Sequence, residues 1–136
     1  MATFNKFQPF VEDLAEKVHN LGSDQLTVAL TNSAPNASDD QLSDISEISY
    51  TNCSTRDITT DTSTQTSGTY KLKLTDLVLT ASGGSVGAFR YVVLYNDDAT
   101  NDELIGYYDY GSSITLADGE TLTIDFDGTN GVLTLA

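Results

Sequence analysis

The sequence predicts a mainly β protein, an antiparallel β-sandwich or jelly roll with one N-terminal α-helix. Three observations carry that prediction. Apolar residues recur at three and four positions only between Pro9 and Gly22. Beyond Gly22 they recur at every second position in short runs. Gly- and Asp-rich turn signals separate the later runs at regular spacing. A length of 136 residues fits a single domain, residues 1–136. Within it, residues 1–22 read as an N-terminal arm and helix. Residues 23–136 read as the sandwich, with a long polar loop over 35–69.

The helix is expected to begin at Pro9, where a missing N–H costs nothing. Glu12 and Asp13 then fall in the first turn and Lys17 and His19 in the last, matching the helix dipole. Val11, Leu14, Val18 and Leu21 give one apolar face, and Gly22 supplies a left-handed cap. Phe4 and Phe7 extend the stripe before Pro9. With Phe10 they form an aromatic cluster read as a candidate docking surface for a neighbouring chain.

Leu26, Val28 and Leu30 alternate with Thr27, Ala29 and Thr31 as a strand does. The Ser-, Thr- and Asp-rich stretch that follows is expected to hold a short strand near Ile48 and Tyr50 and another near Ile58, the remainder being exposed loop. In "YKLKLTDLVLTAS" the apolar parity slips at Thr75 and Asp76, which reads as a bulge. "GAFRYVVLYN" is apolar on both parities, as a central strand covered on both faces is. "SSITLA" and "TLTIDF" flank Asp118-Gly119, a two-residue hairpin signal, and "DGTNG" marks a further tight turn before "VLTLA". Leu122, Ile124 and Phe126 share one parity and should face inward.

No constellation carries a reaction. Residues 91–111, "YVVLYNDDATNDELIGYYDYG", contain five carboxylates, but "NDDATND" is turn chemistry between two strands. It lacks the mid-loop glycine and the ligand spacing of a calcium hand. Adjacent carboxylates on an exposed turn also lack the burial that moves a pKa. A loose surface calcium site is the alternative for this loop. Cys53, the single cysteine, has no base beside it in sequence and reads as a surface or half-buried thiol. "ASGGSVGAF" opens no helix and carries no Lys before Ser or Thr, so it is no phosphate cradle. "YGSSITL" is no nucleophile elbow. Tyr91, Tyr95, Tyr107, Tyr108 and Tyr110 read as cross-strand filling, with a sugar-stacking surface as the rival. No catalytic residue, cofactor or metal is expected.

Six Lys and Arg stand against twenty Asp and Glu, a formal charge of −14. Phosphate repels such a chain, so neither nucleic acid nor an anionic membrane is an expected partner. "MATFNKFQPF" lacks the apolar run of a signal peptide, and no stretch reaches the length of a membrane helix. Synthesis in a cytoplasm is the expectation.

In order and texture, "FQPFVEDLAEKVHNLG", "SDQLTVALTNSAPNAS", "TSGTYKLKL", "GAFRYVVLYNDDATNDELIGYYDYGSSITLADGETLTIDFD" and "TNGVLTLA" together resemble small virion proteins of tailed bacteriophages. The resemblance spans most of the chain. It implies a non-enzymatic structural protein, most simply a capsid decoration (cement) protein on the head surface. Its partners would be the major capsid protein and copies of itself. A tail- or fibre-associated protein is the second reading, and a carbohydrate-binding β-sandwich module is the third.

Overall fold

A computed structural model describes residues 2–136. The chain is mainly β, in the element order β1 (Phe4–Lys6), α1 (Pro9–Ala15), β2 (Leu26–Thr31), a short 3-10 turn (Leu42–Asp44), β3 (Asp57–Ile58), β4 (Thr60–Thr66), β5 (Thr69–Leu74), β6 (Leu77–Thr80), β7 (Val86–Asn96), β8 (Leu104–Leu116), β9 (Thr121–Ile124) and β10 (Leu133–Leu135). Three sheets form, in the orders β1-β8-β7-β2-β3, β10-β5-β4 and β6-β9. Every strand pair among the described residues is antiparallel.

One core joins the three sheets into a sandwich. Leu26, Val28 and Leu30 of β2 and Val92 and Leu94 of β7 share it with Leu72 and Leu74 of β5, Leu79 of β6 and Ile124 of β9. The large sheet is also covered on its other face, where Ala29, Val93, Tyr95 and Leu104 pack with Phe7 and Ile45. All six residues of β2 are therefore buried. The central-strand reading of β7 holds for the same reason. Its register shifts between Phe89 and Tyr91. That shift lets odd-numbered Phe89 face the same core as even-numbered Val92 and Leu94.

The free edge of β2 is satisfied largely without a strand. β3 pairs only with Leu26 and Thr27. Beyond it, Val28 donates its N–H to the Arg56 carbonyl at 3.0 Å, and Arg56 Nη1 donates to the Val28 carbonyl. The Tyr50 hydroxyl accepts the Leu30 N–H at 2.9 Å, and Ile48 N–H donates to the Leu30 carbonyl at 3.0 Å. The Arg56 guanidinium lies 3.6 Å from the Tyr50 ring centroid, so the two side chains brace each other. The strand expected at Ile48 and Tyr50 is thus replaced by one backbone contact and one side-chain contact. The strand expected near Ile58 is β3.

Four further expectations need correction. Helix α1 ends at Ala15, not at Gly22. Lys17, at φ 71°, takes the left-handed position, and Lys17 and Val18 donate back to the Leu14 and Asp13 carbonyls. Lys17 and His19 therefore lie past the helix. Within the 35–69 loop, Thr60–Thr66 forms β4 and makes a hairpin with β5. Its residues are mostly exposed on both faces, so no apolar alternation marks it. Positive φ at Ser67 and Gly68 closes the two-residue turn. At Thr75 and Asp76 the chain leaves one sheet for another; there is no bulge at this point. Asp118-Gly119 does turn the chain, with Glu120 N–H donating to the Ala117 carbonyl at 2.8 Å. Its flanking strands nevertheless part: β8 pairs with β7 and β1, and β9 with β6. The "DGTNG" turn likewise sends β10 to β5.

The N-terminal aromatics belong to the protein's own core. β1 adds to the edge of β8, with Phe4 opposite Tyr108. Gly106 permits that approach, since a Cβ there would collide with the Phe4 ring and sit 2.7 Å from the Asn5 carbonyl oxygen. Phe7 is fully buried, Phe10 nearly so, and Phe4 half-buried. Docking of a neighbour through Phe4, Phe7 and Phe10 as exposed residues is therefore corrected. Their apolar area is satisfied inside the chain, with Phe7 against Tyr107 and Phe4 against Tyr108.

Two outcomes follow from this packing. Ile124 and Phe126 are fully buried while Thr123 is exposed, as the parity required. Phe126→Ala should cost about 3–5 kcal/mol in denaturant unfolding. Thr123→Ala should stay within about 0.5 kcal/mol. Deleting the residues before Gln8 should lower the melting temperature markedly, because it removes β1 and the buried Phe7. An unchanged melting curve would show that the segment is a free arm.

Candidate functional site

The densest polar arrangement lies where α1, the turn after it, the 35–50 segment and the β7–β8 connection meet. The backbone assembles it. Gln8 N–H donates to the Ala37 carbonyl at 2.8 Å, Leu104 N–H to the Asp40 carbonyl at 2.8 Å, and Asp97 N–H to the Gln25 carbonyl at 2.9 Å. Gln25 N–H in turn donates to Asp98 Oδ2 at 2.7 Å.

Asn96, fully buried at the end of β7, is the centre of this junction. Its amide nitrogen donates to Asp24 Oδ2 at 2.7 Å and lies 3.0 Å from His19 Nδ1. Its amide oxygen accepts the Asp98 N–H at 3.0 Å. These polarities orient the amide, so Nδ1 of His19 is an acceptor and the neutral ring carries its proton on Nε2. Burial pushes the His19 pKa down, against the upward pull of Glu103, Asp24 and Asp40. The Phe10 ring, 5.3 Å away between centroids, supplies part of that apolar cover.

Asp13, Asp40 and Glu103 complete the cluster. Asp13 is pushed up to about 6, first by burial, then by a hydrogen bond with Asp40 and by the charges of Asp40, Glu103 and Glu12. Three buried atoms here lack a hydrogen-bond partner: Asp13 Oδ2, His19 Nε2 and Glu103 Oε2. One is a donor in neutral His19 and two are carboxyl oxygens. No group of three or more His, Cys, Asp or Glu side chains among the described residues is arranged to hold a metal ion.

Beside this junction opens a surface cavity of about 560 Å³ whose wall includes Leu14, Lys17, His19, Asp24, Tyr70 and Leu135. An apolar groove of about 170 Å³, lined by Phe4, Val11 and Leu133 among others, adjoins it through Leu14 and Leu135. Val11 is 50% exposed and Leu135 48%.

The acidic stretch that stood out in sequence is a structural turn. Asp98 receives a backbone N–H from another segment, and Glu103 Oε1 accepts the Asn101 N–H. Asp102 takes the left-handed conformation at φ 52°. The tyrosines pack on both faces of the large sheet, Tyr108 and Tyr110 at the sandwich core and Tyr95 and Tyr107 on the opposite face. Tyr91, Tyr95 and Tyr108 are buried, and Tyr91 meets Tyr107 edge to face. Cys53 is half-buried, and burial pushes its thiol pKa up. Sequence reasoning passed over Asn96, His19 and Asp13. The available signal was a lone histidine just past the helix and an Asn heading the acidic turn.

No protein-family model matches the chain, and comparisons with the curated proteins and with the solved structures find no match either. No helix among the described residues is long and apolar enough to cross a membrane.

The Asp102 pKa is pushed up from its ordinary value by burial and by the charges of Asp97, Glu103 and Glu47. Its charge therefore opposes folding at neutral pH. Asn also tolerates left-handed backbone. Asp102→Asn should raise the melting temperature at pH 7, with the gain shrinking as the pH falls into the carboxylate range. A lower melting temperature at pH 7 would overturn this reading.

Proposed function

We propose that this chain is a non-enzymatic bacteriophage structural protein, a decoration (cement) protein that binds and stabilises the outer surface of the head. The observation that carries the proposal is the apolar strip along α1 and β10. Val11, Leu14 and Leu135 leave a groove open on an otherwise strongly acidic chain. An exposed apolar groove beside a polar cavity suits contact with another protein surface. The resemblance to small tailed-phage virion proteins supplies the kind of partner: the major capsid protein, with further copies of this chain around it. The location proposed is the capsid surface after synthesis in a bacterial cytoplasm. The net charge of −14 argues against nucleic acid and anionic membrane as partners.

This reading moves the docking residues from half-buried Phe4 and buried Phe7 and Phe10 to Val11 and Leu135. Co-sedimentation with purified heads that lack the protein tests it. The intact chain should bind in fixed ratio to the major capsid protein. The double variant Val11→Glu, Leu135→Glu should fold normally and bind at least tenfold more weakly. Sedimentation with purified tails but not heads would put a tail- or fibre-associated protein in its place. Binding on a glycan array, with a calcium-dependent melting shift, would favour a carbohydrate-binding module.

A further inference from the structure

We propose that β4 is a self-pairing edge: two copies of this chain join antiparallel through Thr60–Thr66 about a twofold axis at Ser63, merging their β10-β5-β4 sheets. β4 ends its sheet, and β5 is its one neighbour there. The Leu72 carbonyl accepts the Val132 N–H, so it faces β10. Backbone groups on successive residues of a strand point to opposite edges. Lys71 and Lys73, on either side of Leu72, therefore bond to β4. Their register partners Thr64 and Thr62 spend their N–H and C=O groups inside the hairpin. Ser63 and Gln65 turn theirs outward, to the edge where no strand of the chain lies. A row of free backbone groups of this kind is a template for strand addition.

The strand's own sequence points to the occupant. In "TDTSTQT", Thr60–Thr66, threonines stand symmetrically about Ser63. A twofold axis at Ser63 sets Thr60 opposite Thr66 of the second copy, Thr62 opposite Thr64, and Asp61 opposite Gln65. Thr–Thr pairs across strands are favourable, and like charges directly opposite are not. This register gives the first and avoids the second. At its centre the two Ser63 residues exchange N–H and C=O, and the isologous contact closes at two copies. An axis at any other residue of β4 shortens the overlap of its seven residues. Charge agrees. A formal −14 drives copies of this chain apart. Between Thr60 and Leu74, however, a lone acid, Asp61, stands against Lys71 and Lys73. Asp61 is itself paired with Lys73 at 3.7 Å. The side chains of β4 are mostly exposed, and neither Pro nor Lys on the strand guards its edge. The register with β5 shifts between Thr60 and Thr62, so the exchange at Ser63 and Gln65 carries the pairing. Strand pairing alone is a small contact, and the dimer it makes is weak and reversible. This inference stands apart from the head-surface reading, which assigns contact to Val11 and Leu135.

Sedimentation equilibrium of the intact protein, from micromolar to millimolar concentration, tests it. A monomer–dimer equilibrium should appear and tighten with added salt, which screens the repulsion between the chains. Ser63→Pro removes an outward N–H but no β4–β5 backbone bond, so the variant should fold and dimerise about tenfold more weakly or worse. It also loses the 2.7 Å contact of the Ser63 hydroxyl with the Tyr70 hydroxyl. Should it fold poorly, Gln65→Glu serves in its place. That variant keeps the side-chain oxygen that accepts the Gly68 N–H, and it sets a carboxylate opposite Asp61 of the second copy. It should dimerise several-fold more weakly, and Gln65→Lys several-fold more tightly. Hydrogen exchange checks the register: the Ser63 and Gln65 amides should gain protection as concentration rises, while that of Thr64 stays constant. A chain that remains monomeric at millimolar concentration and high salt would overturn the proposal. So would a folded Ser63→Pro or Gln65→Glu that dimerises as the wild type does, or association that grows beyond two copies. A dimer abolished by Val11→Glu, Leu135→Glu but not by Gln65→Glu would overturn it too, and would give the contact between copies to the groove.

Discussion

Strands β2 and β7 pair from Leu26 with Asn96 to Thr31 with Tyr91, and both faces of this pair are dry. Much of the rest of the molecule answers to that constraint. One face takes the two smaller sheets. The other needs a cover that is not a sheet, and the 35–50 segment provides it by placing Ile45 against Val93 and Tyr95. A dry strand must also satisfy both of its hydrogen-bonding edges. β2 does so with Tyr50, Arg56 and the Ile48 N–H along the stretch where no neighbouring strand runs. A loop-like sequence is thereby tied to the most buried element of the fold.

The excess of acid is put to structural use. Two salt bridges are present among the described residues, Lys73 with Asp61 and Arg90 with Asp109. Most of the carboxylates that make specific contacts instead accept backbone N–H groups. Asp44 receives those of Asp40 and Gln41, Asp127 those of Thr129 and Asn130, and Asp76 that of Phe126. Side chains of this kind organise turns between sheets. The junction around Asn96 departs from the pattern. There carboxylates meet each other and a buried histidine, and they leave atoms without partners.

That contrast bears on function. A turn acid that caps a backbone N–H is committed to local structure. The features left unoccupied are the groove along α1 and β10 and the cluster behind α1. Both border one short helix, with Phe10 lining the groove and packing on His19 of the cluster. A docking surface on that helix would depend on the contacts beneath it, because seven residues are too few to hold a helix without tertiary contacts.

Much of this was legible in the sequence because it is local or periodic. The antiparallel β class, the Pro9 helix start, the doubly buried β7 and the inward parity of Ile124 and Phe126 each follow from side-chain period or backbone stereochemistry. Partner choice did not follow. Asp118-Gly119 specifies a reversal, but whether the strands on either side pair with each other depends on which free edges the rest of the chain presents. β4 left no trace because a strand exposed on both faces has no apolar period. The helix end was misplaced because Lys17, at a position glycine usually takes, adopts the left-handed conformation that closes the helix. Phe4, Phe7 and Phe10 show the same limit. Sequence marks them as apolar and near a terminus, but only the Gly106 gap on β8, far along the chain, lets β1 pair there and brings Phe7 inside. Side-chain chemistry and spacing determined what each segment could become, and long-range packing, which no local pattern encodes, decided which surfaces were covered and which were left free.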